Sequence, residues 1–148
     1  MNIIGDEHVS PKIVRAVREI ALRRTWTLEH VIGSAYRSRP DEDWIAAFAH
    51  AGGHVFLSAD RDMLRRPTLL AKISQLDLIG IYLPAQWAEA RKQYQAAHIL
   101  YWWPEIERVI ETCQKGTAWI VPKGLGSGEL RLHVERRGNN AWQQKRQG

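Results

Sequence analysis

Two short apolar segments of this chain are each followed at once by a pair of acids. The pairs are Asp6 with Glu7 and Asp60 with Asp62. If both segments are strands of a parallel α/β sheet, their carboxyl ends open onto one crevice, where acids from different strands can converge. Carboxylate oxygens are the ligands that Mg²⁺ and Mn²⁺ prefer. The pattern predicts a divalent-metal site at the edge of the sheet.

A third acidic group, Asp41-Glu42-Asp43, opens a predicted helix that leads into the second of those strands. Acids at a helix start are also ordinary, because they cap free N–H groups and complement the helix dipole. We interpret Asp41 as the cap of a helix over residues 42–51 that buries Trp44, Ile45 and Phe48.

Predicted strands alternate with predicted helices, which indicates an α/β fold with a parallel sheet and right-handed crossovers. A helix begins at Ser10-Pro11, and Ile20 belongs to its predicted inward face. Pro104 should interrupt the long amphipathic stretch 87–100 and start another helix. The predicted strands are residues 2–5, 26–32, 54–59, 78–83 and 117–121, with a possible β-ribbon over 129–135.

The chain has 148 residues, which is most simply one domain, predicted over 1–137 with a polar, flexible tail at 138–148. Its single cysteine, Cys113, excludes an internal disulfide and is interpreted as a packing residue. A basic, apolar leader is missing from the amino terminus, and no stretch approaches the ~20 apolar residues of a membrane span. We therefore expect a cytoplasmic protein without membrane contact.

The formal net charge is +5 with a pI near 9.7. If several acids gather in one cleft, the remaining surface is more basic than this total, as expected of a protein that attracts a polyanion. The arginines that could bind RNA phosphates are Arg23, Arg24, Arg37, Arg39, Arg65, Arg66, Arg136 and Arg137. Paired arginines are also common on solvated faces, and most of the seven Trp residues should be core.

Residues 41–62 resemble the C-terminal acidic signature of PIN-domain ribonucleases. That signature has an acid at a helix start, an Ile-Ala-Ala-like run, a Gly, a strand and a Thr-x-Asp-x-Asp-Phe-like turn. Aligned without gaps through Ile45, the helix-start acid falls on Glu42 and the strand-end acid on Asp60. Asp62 then matches the second acid of the turn.

The opening Ile-Ile-Gly-Asp-Glu-His-Val-Ser-Pro-Lys resembles the Asp-Glu-Asn-x-x-Pro opening of short PIN-like proteins, a group that includes VapC-type toxins. Asp6 matches the first metal-binding acid of PIN domains, and Glu7 the extra acid of the short group. Segments 102–104 and 117–121 are also similar. The resemblance is good over residues 2–62, weaker to about 122, and absent beyond.

The sequence departs from the larger PIN nucleases in the interval before the helix-start acid. Those proteins carry a further helix acid there, whereas this chain offers only Glu19 and Glu29, in unmatched contexts. Glu42 stands where Asp is usual, and Met63 where Phe is common.

The resemblance implies a three-layer α/β/α PIN-like fold around a mainly parallel sheet. It also implies an Mg²⁺- or Mn²⁺-dependent endoribonuclease, the toxin of a type II toxin–antitoxin pair. RNA, a cognate antitoxin protein and a second copy of the chain are the expected partners, with protein contacts sought in the Trp87–Trp103 region. The implied catalytic residues are Asp6, Glu42, Asp60 and Asp62, and the implied metal ligands are these four with Glu7; Asp43 could substitute for Glu42.

Two other hypotheses compete with this one. The missing helix acid would suit a catalytically weak PIN-like domain that acts as a binding or regulatory module. The strand followed by Asp60-Arg61-Asp62 could be the nucleophile motif of a haloacid-dehalogenase-like phosphatase, but the late acidic pair of that family is lacking. His8, His50 and His54 are interpreted as surface or strand-end residues rather than metal ligands.

Overall fold

The computed structural model describes residues 1–126 and 128–134. The predicted tail at 138–148, the domain end at 137 and Arg136-Arg137 lie outside the described residues. The strands are β1 Asn2–Gly5, β2 Thr27–His30, β3 Val55–Ser58, β4 Ile79–Tyr82, β5 Ala118–Ile120 and β6 Arg131–Leu132. The α-helices are α1 Pro11–Ala16, α2 Asp41–His50, α3 Pro67–Gln75 and α4 Lys92–Thr112.

The strands form one six-stranded sheet in the order β2-β1-β3-β4-β5-β6. All pairs are parallel except the last, in which β6 runs antiparallel to β5. The mainly parallel sheet confirms the fold class predicted from the alternation of strands and helices. β6 occupies only two residues of the predicted ribbon over 129–135.

Helices cover both faces of the sheet, which gives three layers. One core contains residues of α1 and α4, including Ile13 and Trp103, and the other contains residues of α2 and α3, including Ile45 and Leu69. Because the central strands face helices on both sides, they are apolar almost throughout: every residue of β3 and β4 is buried. Cys113 packs beside the first core, as predicted.

The first helix differs from its prediction at Ile20, which is 72% exposed rather than inward. Residues Val17–Ala21 form a π-helical turn, in which the Leu22 N–H donates to the Val17 carbonyl at 2.8 Å. The wider turn changes the angular position of each residue, so the 3.6-residue periodicity that placed Ile20 inward fails there.

Pro104 does not start a new helix, because α4 continues through it from Lys92 to Thr112. Proline removes one backbone hydrogen bond, but Pro104 is exposed and its neighbours Trp102 and Trp103 are buried in the core. Packing on both sides of the proline therefore offsets its local cost. Within the described residues, no helix is long and apolar enough to cross a membrane.

Three tryptophans of the 87–103 region belong to the core of this chain. Trp87 lies in a 3₁₀ turn before α4, and its indole N–H donates to the Lys123 carbonyl at 3.0 Å. The Trp102 indole donates to the Gly124 carbonyl at 2.8 Å, so both side chains hold the loop after β5. A protein partner on α4 would instead meet its exposed residues, such as Tyr94 and Tyr101.

Candidate functional site

The acids of the first and third strands lie at the point where the sheet reverses its strand order. From β1 the chain first adds β2 on one side and then crosses to add β3 on the other. In open α/β sheets, the crevice at such a switch point is the usual place for a ligand. Asp6 and Asp60 follow these two adjacent strands, and the Asp6 N–H donates to the Leu57 carbonyl at 2.9 Å.

Asp6 is buried, with 2% of its surface exposed. One carboxylate oxygen, Oδ1, accepts the His8 N–H at 2.9 Å, whereas Oδ2 has no partner among the described residues. Burial raises the pKa of Asp6 to about 6, against the opposing effects of Ser58 and His8. A buried carboxylate oxygen without a partner is costly, and a cation or water at this position would satisfy it.

Asp60 caps the 3₁₀ turn Arg61–Arg65 that leaves β3. Its Oδ1 accepts the Asp62 N–H at 3.0 Å, and its own N–H donates to Ser58 Oγ at 3.0 Å. The other oxygen, Oδ2, lies 3.7 Å from His8 Nε2. Asp60 therefore faces the crevice, while the Asp62 side chain points outward, 82% exposed.

Glu7 and His8 lie at the solvent-exposed side of the crevice. The Glu7 side chain is exposed, and its Oε1 lies 3.9 Å from His8 Nε2. His8 thus stands between an outer carboxylate, Glu7, and an inner one, Asp60. Of the two further histidines that were considered as metal ligands, His54 accepts the Asn2 N–H at 3.0 Å and His50 lies in the last turn of α2.

The acids at the start of α2 are held by one arginine. Arg66 donates to Asp41 Oδ2 at 3.0 Å and also to Glu42 Oε1. Asp41 Oδ1 accepts the indole N–H of Trp44 at 3.1 Å. Asp43 is exposed.

Asp41 is not the helix cap that the sequence predicted. The helix begins at Asp41 itself, and Pro40 occupies the capping position without a side-chain hydrogen bond. The negative charge of the Asp41 carboxylate contributes to raising the pKa of Asp6 and of Tyr82. Among the three acids of the helix start, Asp41 is the one whose charge acts on the buried groups of the crevice.

Tyr82 is a crevice residue that the sequence analysis did not single out. It ends β4 in register with Ser58, and its hydroxyl is buried without a hydrogen-bond partner among the described residues. Burial, and then the charges of Asp6, Asp60 and Asp41, raise the pKa of Tyr82. The available signal was a single polar hydroxyl at the carboxyl end of an otherwise apolar strand.

The carboxylate oxygens of the crevice acids are ligands that a hard divalent cation prefers, but these acids do not converge on one point in the structure. Within residues 1–126 and 128–134, no three His, Cys, Asp or Glu side chains form a group that could hold a metal ion. The unpartnered Asp6 Oδ2 and the crevice-facing Asp60 supply oxygen ligands of the kind that Mg²⁺ and Mn²⁺ take. Arg66 occupies the oxygens that α2 would add.

Comparison with known families agrees with this architecture. A family model described as a PIN-like domain matches residues 1–85, which include β1 to β4 and all the acids of the crevice. The chain therefore belongs to the PIN-like domain family, and this domain fits a nuclease superfamily. No curated protein and no solved structure matches the chain.

Proposed function

We propose that this protein is a divalent-metal-dependent endoribonuclease that hydrolyses RNA phosphodiester bonds. The observation that carries the proposal is the Asp6 carboxylate, buried at the switch point with Oδ2 unpartnered and Asp60 on the adjacent strand. Perturbed titratable groups in such a crevice are typical of functional sites. The PIN-like family supports the nuclease class over the haloacid-dehalogenase-like hypothesis.

Asp6 and Asp60 would hold the metal, with Asp41 or Glu42 reaching it from the start of α2. Mg²⁺ or Mn²⁺ would lower the pKa of a bound water and neutralise charge on the scissile phosphate. Asp62 and Glu7, both more exposed, would complete the ligand shell or orient water. Asp43 is the alternative from the helix start.

His8 and Tyr82 are two proton-bearing side chains of the crevice that are close enough to its acids to interact with them. His8 Nε2 lies 3.7 Å from Asp60 Oδ2, so a protonated imidazole would hold the Asp60 carboxylate in place. The Tyr82 hydroxyl keeps its proton at neutral pH, because burial and the surrounding acids raise its pKa. It can therefore donate a hydrogen bond to a carboxylate or to water in the crevice.

We further propose that the protein acts as a VapC-type toxin in the cytoplasm, where an antitoxin protein masks the crevice. This step rests on the resemblance of the opening segment 3–12 to short PIN-like toxins. Induced expression should arrest the growth of a bacterial host, whereas Asp60→Asn should not. Normal growth despite folded, soluble protein would contradict the toxin role.

The nuclease itself is tested by cleavage of labelled structured RNAs by purified protein with Mn²⁺, Mg²⁺ or EDTA. We expect cleavage that requires metal and is lost in Asp60→Asn. The matched control is Asp77→Asn, which removes a carboxylate after α3, far along the chain from the crevice acids. Cleavage that persists in EDTA, or equally in Asp60→Asn, would contradict the proposal.

A binding or regulatory module is the second candidate, and one contact favours it. Arg66 pairs with both Asp41 and Glu42, which leaves fewer carboxylates for a metal. A folded protein that binds RNA without cleaving it, and that gains no thermal stability from Mn²⁺, would support this candidate over the nuclease.

A further inference from the structure

A second concave site lies at the same edge of the sheet, toward β6. This cleft has a volume of about 510 Å³. Its walls come from the end of the 3₁₀ turn that Asp60 caps, from the start of α3, and from β5 and β6. The lining residues are Leu64, Arg65, Pro67, Ile120, Arg131, Leu132, His133 and Val134.

The polar side chains that line this cleft are basic, and among residues 1–126 and 128–134 no acid lines it. Arg131 pairs in register with Ile120, so its side chain lies on the face of the sheet that α3 covers. His133 follows two residues later on the same face, and its Nε2 is buried without a hydrogen-bond partner in the described chain. Arg65 reaches the cleft from the opposite wall.

Arg65 and Arg131 differ in their ion pairs from the arginines that stabilise the fold. Arg23 pairs with glutamates of α4, and Arg108 pairs bidentately with Glu105. Arg65 makes one long contact, 3.8 Å to the exposed Asp62, and Arg131 makes no ion pair with any described carboxylate. With respect to the part of the chain that the structure describes, the N–H donors of Arg65 and Arg131 are therefore available to an anionic ligand.

The cleft is connected to the crevice by a single structural element. The turn Arg61–Arg65 begins beside Asp60 and ends at the cleft wall, and Asp62 contacts Arg65 across it. Five residues of 3₁₀ helix span about 10 Å. The crevice and the cleft therefore lie close enough together for one RNA segment to reach both.

We propose that this cleft binds the phosphates of a single-stranded RNA segment next to the bond that is cleaved. The proposal rests on the proposed nuclease function and extends it to a substrate-binding subsite. Arg65 and Arg131 contact phosphate oxygens, and the unpartnered His133 nitrogen can hydrogen-bond the sugar or a base.

The test separates RNA binding from cleavage. In an Asp60→Asn background, which leaves RNA intact, the affinity for a fluorescein-labelled single-stranded RNA is measured by anisotropy over a range of salt concentrations without metal. Each phosphate contact contributes a slope of about 0.7 in log K against log salt, or about five-fold in affinity at ~0.1 M salt. We expect Arg131→Ala and Arg65→Ala each to lose about that much.

Arg18→Ala is the matched control, because Arg18 is exposed on the π-helical turn after α1, which packs on the other face of the sheet from the cleft. It should leave the affinity and salt slope nearly unchanged, and Arg131→Lys should restore most of the affinity, because lysine also binds phosphate. Equal losses in Arg18→Ala and Arg131→Ala would overturn the cleft. RNA binding that depends on the cleft, in a wild-type protein that never cleaves RNA, would contradict the nuclease and support the cleft. Cleavage by a protein whose RNA binding does not depend on the cleft would support the nuclease and contradict the cleft.

Discussion

The layer formed by α1 and α4 and the crevice at the switch point differ in whether their polar groups have partners. In the layer, Arg23 contacts Glu107 at 3.0 Å and also pairs with Glu111, and Glu107 accepts the Trp103 indole N–H at 2.8 Å. In the crevice, Asp6 and Tyr82 are buried with polar atoms that have no partner in the described chain. The first region uses its charges to hold a core, whereas the second buries polar groups at a cost that a bound cation or water would offset.

The largest effect on stability should come from the layer. Trp103 is 1% exposed in the core beneath α4. Trp103→Ala should lower the free energy of unfolding by about 3–5 kcal/mol, because it removes a large buried side chain and leaves a cavity. Urea denaturation measures this change, and Tyr94→Ala, at an exposed position of α4, serves as the control. A loss under about 1 kcal/mol would contradict the assignment of Trp103 to the core.

In the crevice, neutralising the buried acid Asp6 should raise the free energy of unfolding rather than lower it. Folding raises the pKa of Asp6 from 3.8 to about 6, so the folded protein loses stability as pH rises between these two values. The penalty is absent below pH ~4, grows as pH rises through about 6, and reaches on the order of 3 kcal/mol at neutral pH. Asp6→Asn should therefore be more stable than wild type at pH 7.

Urea denaturation of wild type and Asp6→Asn at a series of pH values checks this sign. We expect the two stability curves to converge near pH 4 and to separate between pH ~4 and ~6. Asp77→Asn, which alters an exposed position after α3, should show no comparable separation. A variant less stable than wild type at pH 7 would mean that the carboxylate is satisfied in the folded protein.

The two arginine clusters offer a matched pair of substitutions. Arg66→Gln and Arg23→Gln each remove a half-exposed cation that pairs with two acids, so each should destabilise by no more than about 1 kcal/mol. Only Arg66→Gln should raise the affinity for Mn²⁺, because it frees Asp41 and Glu42. Calorimetric titration of both variants measures this difference, and equal affinities would exclude Arg66 as a competitor of the metal.

The smallest expected effect is that of the Tyr82 hydroxyl. A buried hydroxyl without a partner makes no hydrogen bond that phenylalanine would lose, so Tyr82→Phe should leave stability unchanged or raise it slightly. Tyr36→Phe, on the rim of the second core, is the control. Thermal unfolding compares the two, and a clear loss of stability in Tyr82→Phe would show that the hydroxyl has a partner in the folded protein.

The sequence predicted the sheet well because its strands are short buried runs that end in polar residues. The carboxyl-edge rule for parallel strands then placed Asp6 and Asp60 together without knowledge of any side-chain contact. Local patterns failed where packing overrides them. Trp102 and Trp103 keep α4 helical through Pro104, and the π-helical turn moves Ile20 to the surface.

The details of the crevice depend on contacts between residues far apart in the chain. Arg66 meets Asp41 across 25 positions, and the start of α2 shifts by one residue relative to the predicted cap. Tyr82 joins the site because β4 lies beside β3, with its last residue opposite Ser58. The spacing of residues within one segment cannot predict contacts between distant segments. The roles of Arg66, Asp41 and Tyr82 could therefore be recognised only in the folded structure.

The most direct test of the central claim is calorimetric titration of Mn²⁺ into wild type and Asp6→Asn at pH 7. If the buried, unpartnered Asp6 carboxylate is the centre of a metal site, wild type binds Mn²⁺ and releases heat or protons that the folded variant does not. Binding of equal affinity in both proteins, or no binding by folded wild type, would contradict the account.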